Sequence, residues 1–351
     1  MKIFDREQVA KALAKLLNIY TPPGSELKLH GILKELCGEL DFEECYVDDV
    51  GNFFTHYGKG NVVLLASHLD TVPGKLKIAY DGKAVYGRGA VDAKGPLLSY
   101  ILGAWMASGQ VKGLKVIVAG LVREELDGAG AKYLVEKGMR ADHVLIGEPT
   151  GLSIAIAYRG SITAEARVGA RGGHSSAPYI GESALDKMLG FLSEIRSRFR
   201  GSSYDETTSA ITMLNSGDWP SKLPEEAKAY LNIRFPNSIE VKDVLDEVTR
   251  IAENHGVELR IVDATPPVEV KLSSGIVRAL IRGCIRSGVK PRIVKKTGTS
   301  DMNVLAELTK SIAAFGPGDS RLAHTNSEKI SIEDLLKGAK IISATLKELS
   351  R

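Results

Sequence analysis

The 351-residue chain is short of several things, and each shortage excludes a class. Cysteine occurs three times (Cys37, Cys45, Cys284), an odd number without a CxxC pair, which excludes a disulfide scaffold. Free thiols point to a reducing cytoplasm. No apolar run approaches membrane-spanning length, so no transmembrane helix is expected. The opening Met1–Leu17 reads as an amphipathic helix capped by Asp5, with Gln8 three residues on, and not as a signal peptide. Excess charge of one sign is missing: Lys+Arg 46 against Asp+Glu 43 leaves +3, too little to argue for nucleic-acid binding. Glutamine appears only as Gln8 and Gln110, and asparagine nine times, a bias that fits a thermophile. The glycines and prolines are dispersed, so low-complexity segments are absent too.

What is present is an ordinary globular composition, 44% hydrophobic and 25% charged, long enough for two or three domains. In the first 150 residues helical periodicity (5–18, 26–40, 94–108, 129–138) alternates with continuous apolar runs (62–66, 115–122, 144–146). Such runs are strands covered on both faces, so an α/β fold with a mostly parallel central sheet is expected. The texture changes near residue 154. Ile154–Val168 alternates like one half-exposed strand, and helix 182–199, strands 208–215 and 227–235, helix 240–255 and strand 257–263 follow. The order β-α-β-β-α-β is an α+β two-layer, ferredoxin-like unit. Helices (274–287, 300–308, 331–349) and strands (near 291–295, and 312–315) after Thr265-Pro266-Pro267 resume the first pattern. The expected division is therefore a catalytic domain of residues 1–154 and 265–351, with 155–264 inserted in it.

The chemistry gathers just beyond the apolar runs. Val62–Ala66 is followed by Ser67-His68-Leu69-Asp70, Val116–Val122 by Arg123-Glu124-Glu125, Val144–Ile146 by Gly147-Glu148-Pro149, and Ile312–Phe315 by a Gly/Pro loop and His324. Asp92 opens a helix after Gly87-Arg88-Gly89-Ala90-Val91. In open α/β sheets ligands bind at the carboxyl ends of the strands. Carboxylates crowded there repel one another, and a divalent cation removes the conflict. Imidazole and carboxylate donors without thiolate suit Zn²⁺, Co²⁺ or Mn²⁺ better than Ca²⁺. Two such ions sharing one carboxylate would use all these donors. Each element has a plainer reading when taken alone. His-x-Asp is common, adjacent glutamates usually form a solvated face, and Asp92 can be a helix N-cap. His30, His56, His143 and His255 are assigned no role.

Together, Ser67–Pro73, Gly87-Arg88-Gly89, Asp92-Ala93-Lys94-Gly95, Glu124-Glu125, Gly147-Glu148-Pro149-Thr150 and Gly173-His174-Ser175-Ser176 resemble the M20 metallopeptidases over essentially the whole chain. That resemblance implies a zinc-peptidase-like catalytic domain carrying two Zn²⁺ (or Co²⁺), and a lid domain that joins a homodimer. It implies that His68 and Glu148 hold one ion, Glu125 and His324 the other, and Asp92 both. Glu124 would be the general base toward water, and Asp70 would orient His68. His174 would reach the partner subunit's site and stabilise the oxyanion. Arg234 would bind a substrate carboxylate, and Gly298-Thr299-Ser300-Asp301 is similar to the family's substrate loop. Glu148 is typical of the desuccinylase and deacetylase branch. Ala93–Leu97 is similar to hydrolases that release lysine or ornithine from the C-terminal glutamate of an amino-group carrier protein. The resemblance thus implies a carrier-protein substrate, with acetylornithine, succinyl-diaminopimelate or a small peptide as the alternative. An inactive metal-binding scaffold is disfavoured, because all five ligands and the base are present.

Overall fold

The computed structural model describes residues 5–351. Residues 1–4 of the expected opening helix lie outside the described residues; the rest forms Arg6–Asn18, capped reciprocally by Asp5 and Gln8. The chain divides into two compact units. One comprises the chain up to Ala157, Val270–Val294 and Ser300–Arg351; the other comprises Tyr158–Glu269 and Lys295–Thr299.

In the larger unit the main sheet runs, in spatial order, Glu44–Val47, Phe53–Gly58, Leu114–Leu121, Asn61–His68, His143–Ile146, Ile312–Ala314 and Ile154–Tyr158. The four central strands are parallel. Their apolar runs bury both faces, as continuous hydrophobicity requires. The antiparallel edge of Glu44–Val47 and Phe53–Gly58 goes beyond the strands read from sequence. Asp48 makes their connection: its Oδ1 accepts from the amides of Val50, Gly51 and Asn52. Helix Lys94–Ala107 is apolar nearly all round and packs closely on Ile332–Leu349. A Cβ on Gly103 would stand 2.6 Å from Ile342 Cβ, so only glycine permits that approach.

The smaller unit has a four-stranded antiparallel sheet in the order Thr208–Ser216, Glu226–Phe235, Gly160–Gly169, Glu258–Thr265. Helices Ala184–Arg198 and Val241–Asn254 cover one face, over a core that includes Ile162, Ala164, Phe191, Leu231 and Val248. This is the expected α+β two-layer architecture. The segment expected as a single strand over 154–168 breaks at Arg159, and its halves join different sheets. A Cβ at Gly160, where the second half begins, would fall 2.2 Å from the Phe235 ring, so only glycine permits that approach. Arg159 is buried there, with Nη2 donating to the Arg234 carbonyl at 2.7 Å.

Candidate metal centre

Parallel pairing sets the rim of the larger unit. His68 is in register with Leu121, and Ala66 with Ile146, so the segments beyond them emerge side by side. Those segments bring Glu124, Glu125 and Glu148 to the strand ends beside His68. Asp92 lies just ahead of helix Lys94–Ala107. That helix has Ala93 at its N-cap and no side-chain cap, which sets aside the capping reading for Asp92.

Asp92 is the hub. Its Oδ1 lies 3.1 Å from His68 Nε2, and its Oδ2 lies 3.2 Å from His324 Nε2. His324 Nε2 is also 2.9 Å from Glu125 Oε1. Three groups among the described residues bring ligand-type atoms within 4.8 Å of one another: His68–Asp92–Glu148, Asp92–Glu125–His324 and His68–Glu124–Glu125.

The histidine tautomer can be read from its partner. His68 Nδ1 is 2.9 Å from the Asp70 main-chain carbonyl, which only accepts. Nδ1 therefore carries a proton, which leaves Nε2 as the ring atom that faces the acids. The Asp70 carboxylate is 3.6 Å from Nδ1 and has another task. It accepts the amides of Glu124 at 3.1 Å and Glu125 at 3.0 Å, holding that pair at the rim. The Glu125 side chain is 9% exposed, so the pair is no solvated face.

Electrostatics show what the cluster lacks. Loss of hydration raises the Glu124 carboxyl well above its ordinary range. It pushes Glu148 up to about 8, with Asp92 adding repulsion. Asp92 also resists ionisation through burial, but His324 and His68 outweigh this and hold it low. His324 is raised to about 10 by Asp92 and then Glu125. Burial opposes a charge on His68, yet the Asp70 and Asp92 carboxylates raise it well above its usual value. Two like charges 4 Å apart repel by about 4 kcal/mol near a protein surface. Two imidazoles do not offset so many acids at such spacing. The donor set therefore fits divalent cations, through imidazole Nε2 atoms and carboxylate oxygens.

Sequence reasoning gave no role to three other participants. Asp301, the last residue of the Gly298–Asp301 run, adds a buried acid raised to about 7 by burial. Lys94 is buried and donates to the Ile19 carbonyl at 2.7 Å. Glu328 is 1% exposed and grips the loop leading to Asp92. Only Asp301 and Lys94 had a signal, since both lie in the motif segments; Glu328 had none. His30, His143 and His255 have structural partners in the Gly51 carbonyl, Ser311 and Glu194.

The remaining expected residues lie in the smaller unit. His174 is exposed, in a short hairpin against Lys222–Leu223. Its Nδ1 accepts from the Ser176 amide at 3.1 Å. Arg234 is held by Asn232 Oδ1 at 2.7 Å and Thr299 Oγ1 at 3.1 Å, with Gly298 next in the chain.

The pattern of peptidase family M20/M25/M40 matches residues 64–348. A protein of Aeropyrum pernix, provisionally named a LysW-lysine/LysW-ornithine hydrolase, is 41% identical over 96% of this chain and 95% of its own. A protein of Saccharolobus islandicus named a LysW-lysine/LysW-ornithine hydrolase is 35% identical over 98% of this chain and 96% of its own. Among solved structures, a tripeptidase from Staphylococcus aureus superposes with a TM-score of 0.86 at 19% identity, covering 99% of both chains. An M20 family metallo-carboxypeptidase from Sulfolobus solfataricus does so at 0.81 and 16%, over 98% of this chain and 99% of its own. The chain belongs to the M20/M25/M40 peptidase family.

Proposed function

We propose that this M20/M25/M40 family member hydrolyses the isopeptide bond that joins lysine or ornithine to the C-terminal glutamate of an amino-group carrier protein, in lysine and arginine biosynthesis. The substrate is argued from the name of relatives that match along nearly the whole chain. The chemistry rests on one observation: the two oxygens of Asp92 face the Nε2 atoms of two different histidines.

In this reading His68 and Glu148 would hold one ion and Glu125 and His324 the other, Asp92 would serve both, and each chain would carry two Zn²⁺ or Co²⁺. When bound, paired divalent ions polarise the scissile carbonyl and make water acidic enough to react near neutral pH. The chain supplies the proton path. Glu124 takes a proton from water and returns it to the leaving amine, and its raised affinity for a proton suits that task. Asp70 keeps Glu124 in place through the amide it accepts. In His174 the Ser176 amide can only donate, so Nδ1 is unprotonated and Nε2–H becomes the donor. That donor serves the oxyanion in the partner subunit of a homodimer joined through residues 155–264, which act as lid. Arg234, steadied by Asn232 and Thr299, offers a planar fork to the amino acid's carboxylate, and Gly298 and Thr299 border it. The free thiols of Cys37, Cys45 and Cys284 suit a reducing cytoplasm.

The deciding experiment compares kcat/KM for carrier-linked lysine or ornithine with that for N-acetylornithine and N-succinyl-diaminopimelate. The reading expects a clear preference for the carrier-linked substrate. Preference for either small acyl compound overturns the substrate and leaves the metal chemistry standing. Mixing His174→Ala with Glu124→Gln subunits should regenerate activity. No recovery, with subunit exchange verified, would return His174 to a structural role.

A further inference from the structure

We propose that the Arg88–Glu328 ion pair is a positioning element that sets Asp92 against His324, and so tunes the cation site those residues share with Glu125. The inference rests on the ligand reading given under Proposed function.

Glu328 lies 240 residues from Arg88 in the chain, and its Oε2 meets Arg88 Nη1 at 2.8 Å. Both side chains are shielded from water, 0% and 6% exposed. A buried ion pair is weak evidence of stability, because the lost hydration offsets the attraction. What singles this pair out is where its other bonds go. Glu328 Oε1 accepts the main-chain amides of Gly89 at 2.9 Å, Val91 at 3.0 Å and Asp92 at 3.2 Å. The Glu328 carbonyl accepts the amide of Gly87 at 3.1 Å. Arg88 returns the grip, donating to the Thr325 carbonyl at 3.1 Å and the Gly74 carbonyl at 3.0 Å. One carboxylate thus holds the loop that ends in Asp92, and its partner holds the loop that follows His324. Gly87 and Gly89, at φ 151° and 88°, give the loop the left-handed turns that wrap it around Glu328. His324 itself has φ 62°, a conformation its surroundings must enforce.

The other site is secured differently. His68 is oriented by the Asp70 carbonyl, and the Glu148 segment by Ser67 Oγ donating to the Gly147 carbonyl at 2.8 Å. Disturbing the pair should therefore weaken the ion at His324 more than the ion at His68. Loss of a group that orients ligands costs metal affinity about 10–100-fold.

The test titrates metal-free protein with Co²⁺ in competition with a coloured chelator, alongside the melting temperature of the metal-free form. Glu328→Ala should weaken the ion at His324 about 10–100-fold and the ion at His68, which shares Asp92, by clearly less. Glu328→Gln keeps the volume and an oxygen for the three amides but breaks the charge pair; it should weaken the ion at His324 by less than the Ala variant does. If Glu328→Ala does not fold, the Gln variant decides. Folded variants that bind both ions as wild type does, or that weaken both equally, overturn the proposal. Wild-type protein that fails to take two ions would instead overturn the ligand reading beneath it.

Discussion

Glu165 in the smaller unit and Glu148 in the larger are both drawn away from water, and the chain treats them in opposite ways. Glu165 is 1% exposed on the sheet face away from the helices. It accepts from Tyr230, Lys228, Arg260 and Arg167, and those donors hold its carboxyl well below the usual range. Glu148 has no such company. Loss of hydration and the neighbouring Asp92 push it up to about 8, and the nearest cationic help is a histidine shared with other acids. Where a carboxylate serves the fold, the chain brings its own cations. Where a group of carboxylates is left in excess at a rim of strand ends, the missing charge has to come from outside. The same contrast holds within the larger unit, where Glu328 has Arg88.

Removing the external cation is the largest way to break this contrast. Dialysis against a chelator should abolish hydrolysis, and Zn²⁺ or Co²⁺ should restore it; full activity in verified metal-free protein would contradict the account. The next largest effect belongs to Glu124→Gln. It keeps the shape of the rim and removes the proton acceptor, so kcat should fall about 10²–10⁴-fold with metal content unchanged. Glu125→Gln should instead cost bound metal. Matching metal titrations for the two variants would remove the distinction between base and ligand.

Stability against pH should split the two regions by sign. His324 is raised from 6.5 to about 10, so its contribution is complete below 6.5 and fades as pH climbs toward 10. Glu148 is raised from 4.5 to about 8, so the folded state binds the extra proton and loses stability as pH rises between those values. Both terms make the metal-free rim weaker in alkali. Glu165 is lowered from 4.5, so its contribution is present above that pH and is lost in acid. The melting temperature of metal-free protein should thus fall from pH 6.5 to 9, and the gain on adding Co²⁺ should grow over the same range, since protons no longer compete for the ligands. A metal-free melting temperature that rises over that interval would refute the rim assignment. The smallest effect on activity is expected from Glu165→Gln. Its melting temperature should drop, and kcat per folded chain and metal content should stay at wild-type values.

Only the rim side of this contrast was legible in the sequence, for a physical reason. Parallel strands covered on both faces read as apolar runs, and a ligand rim must follow their carboxyl ends, so His68, Glu124, Glu125 and Glu148 announced themselves by position. Asp92 and His324 were legible through motif and loop context. The partners that hold these residues were not. Glu328 meets Arg88 across 240 positions, and nothing local marks a glutamate as the acceptor of three distant amides. The break at Arg159 was hidden as well, because two short strands of different sheets joined end to end carry the same alternation as one long strand. The Asp70 carboxylate illustrates a subtler limit: its place beside His68 was evident, while its bonds to the Glu124 and Glu125 amides depend on strand register.

The most direct measurement is calorimetric titration of the metal-free protein with Co²⁺, set beside the same titration of Asp92→Asn. With Asp92 placed between two imidazoles, the wild-type chain should take up two ions, and the variant should lose affinity for both. Uptake of a single ion by the wild type, or two ions bound unchanged by Asp92→Asn, would contradict a centre built around one shared carboxylate.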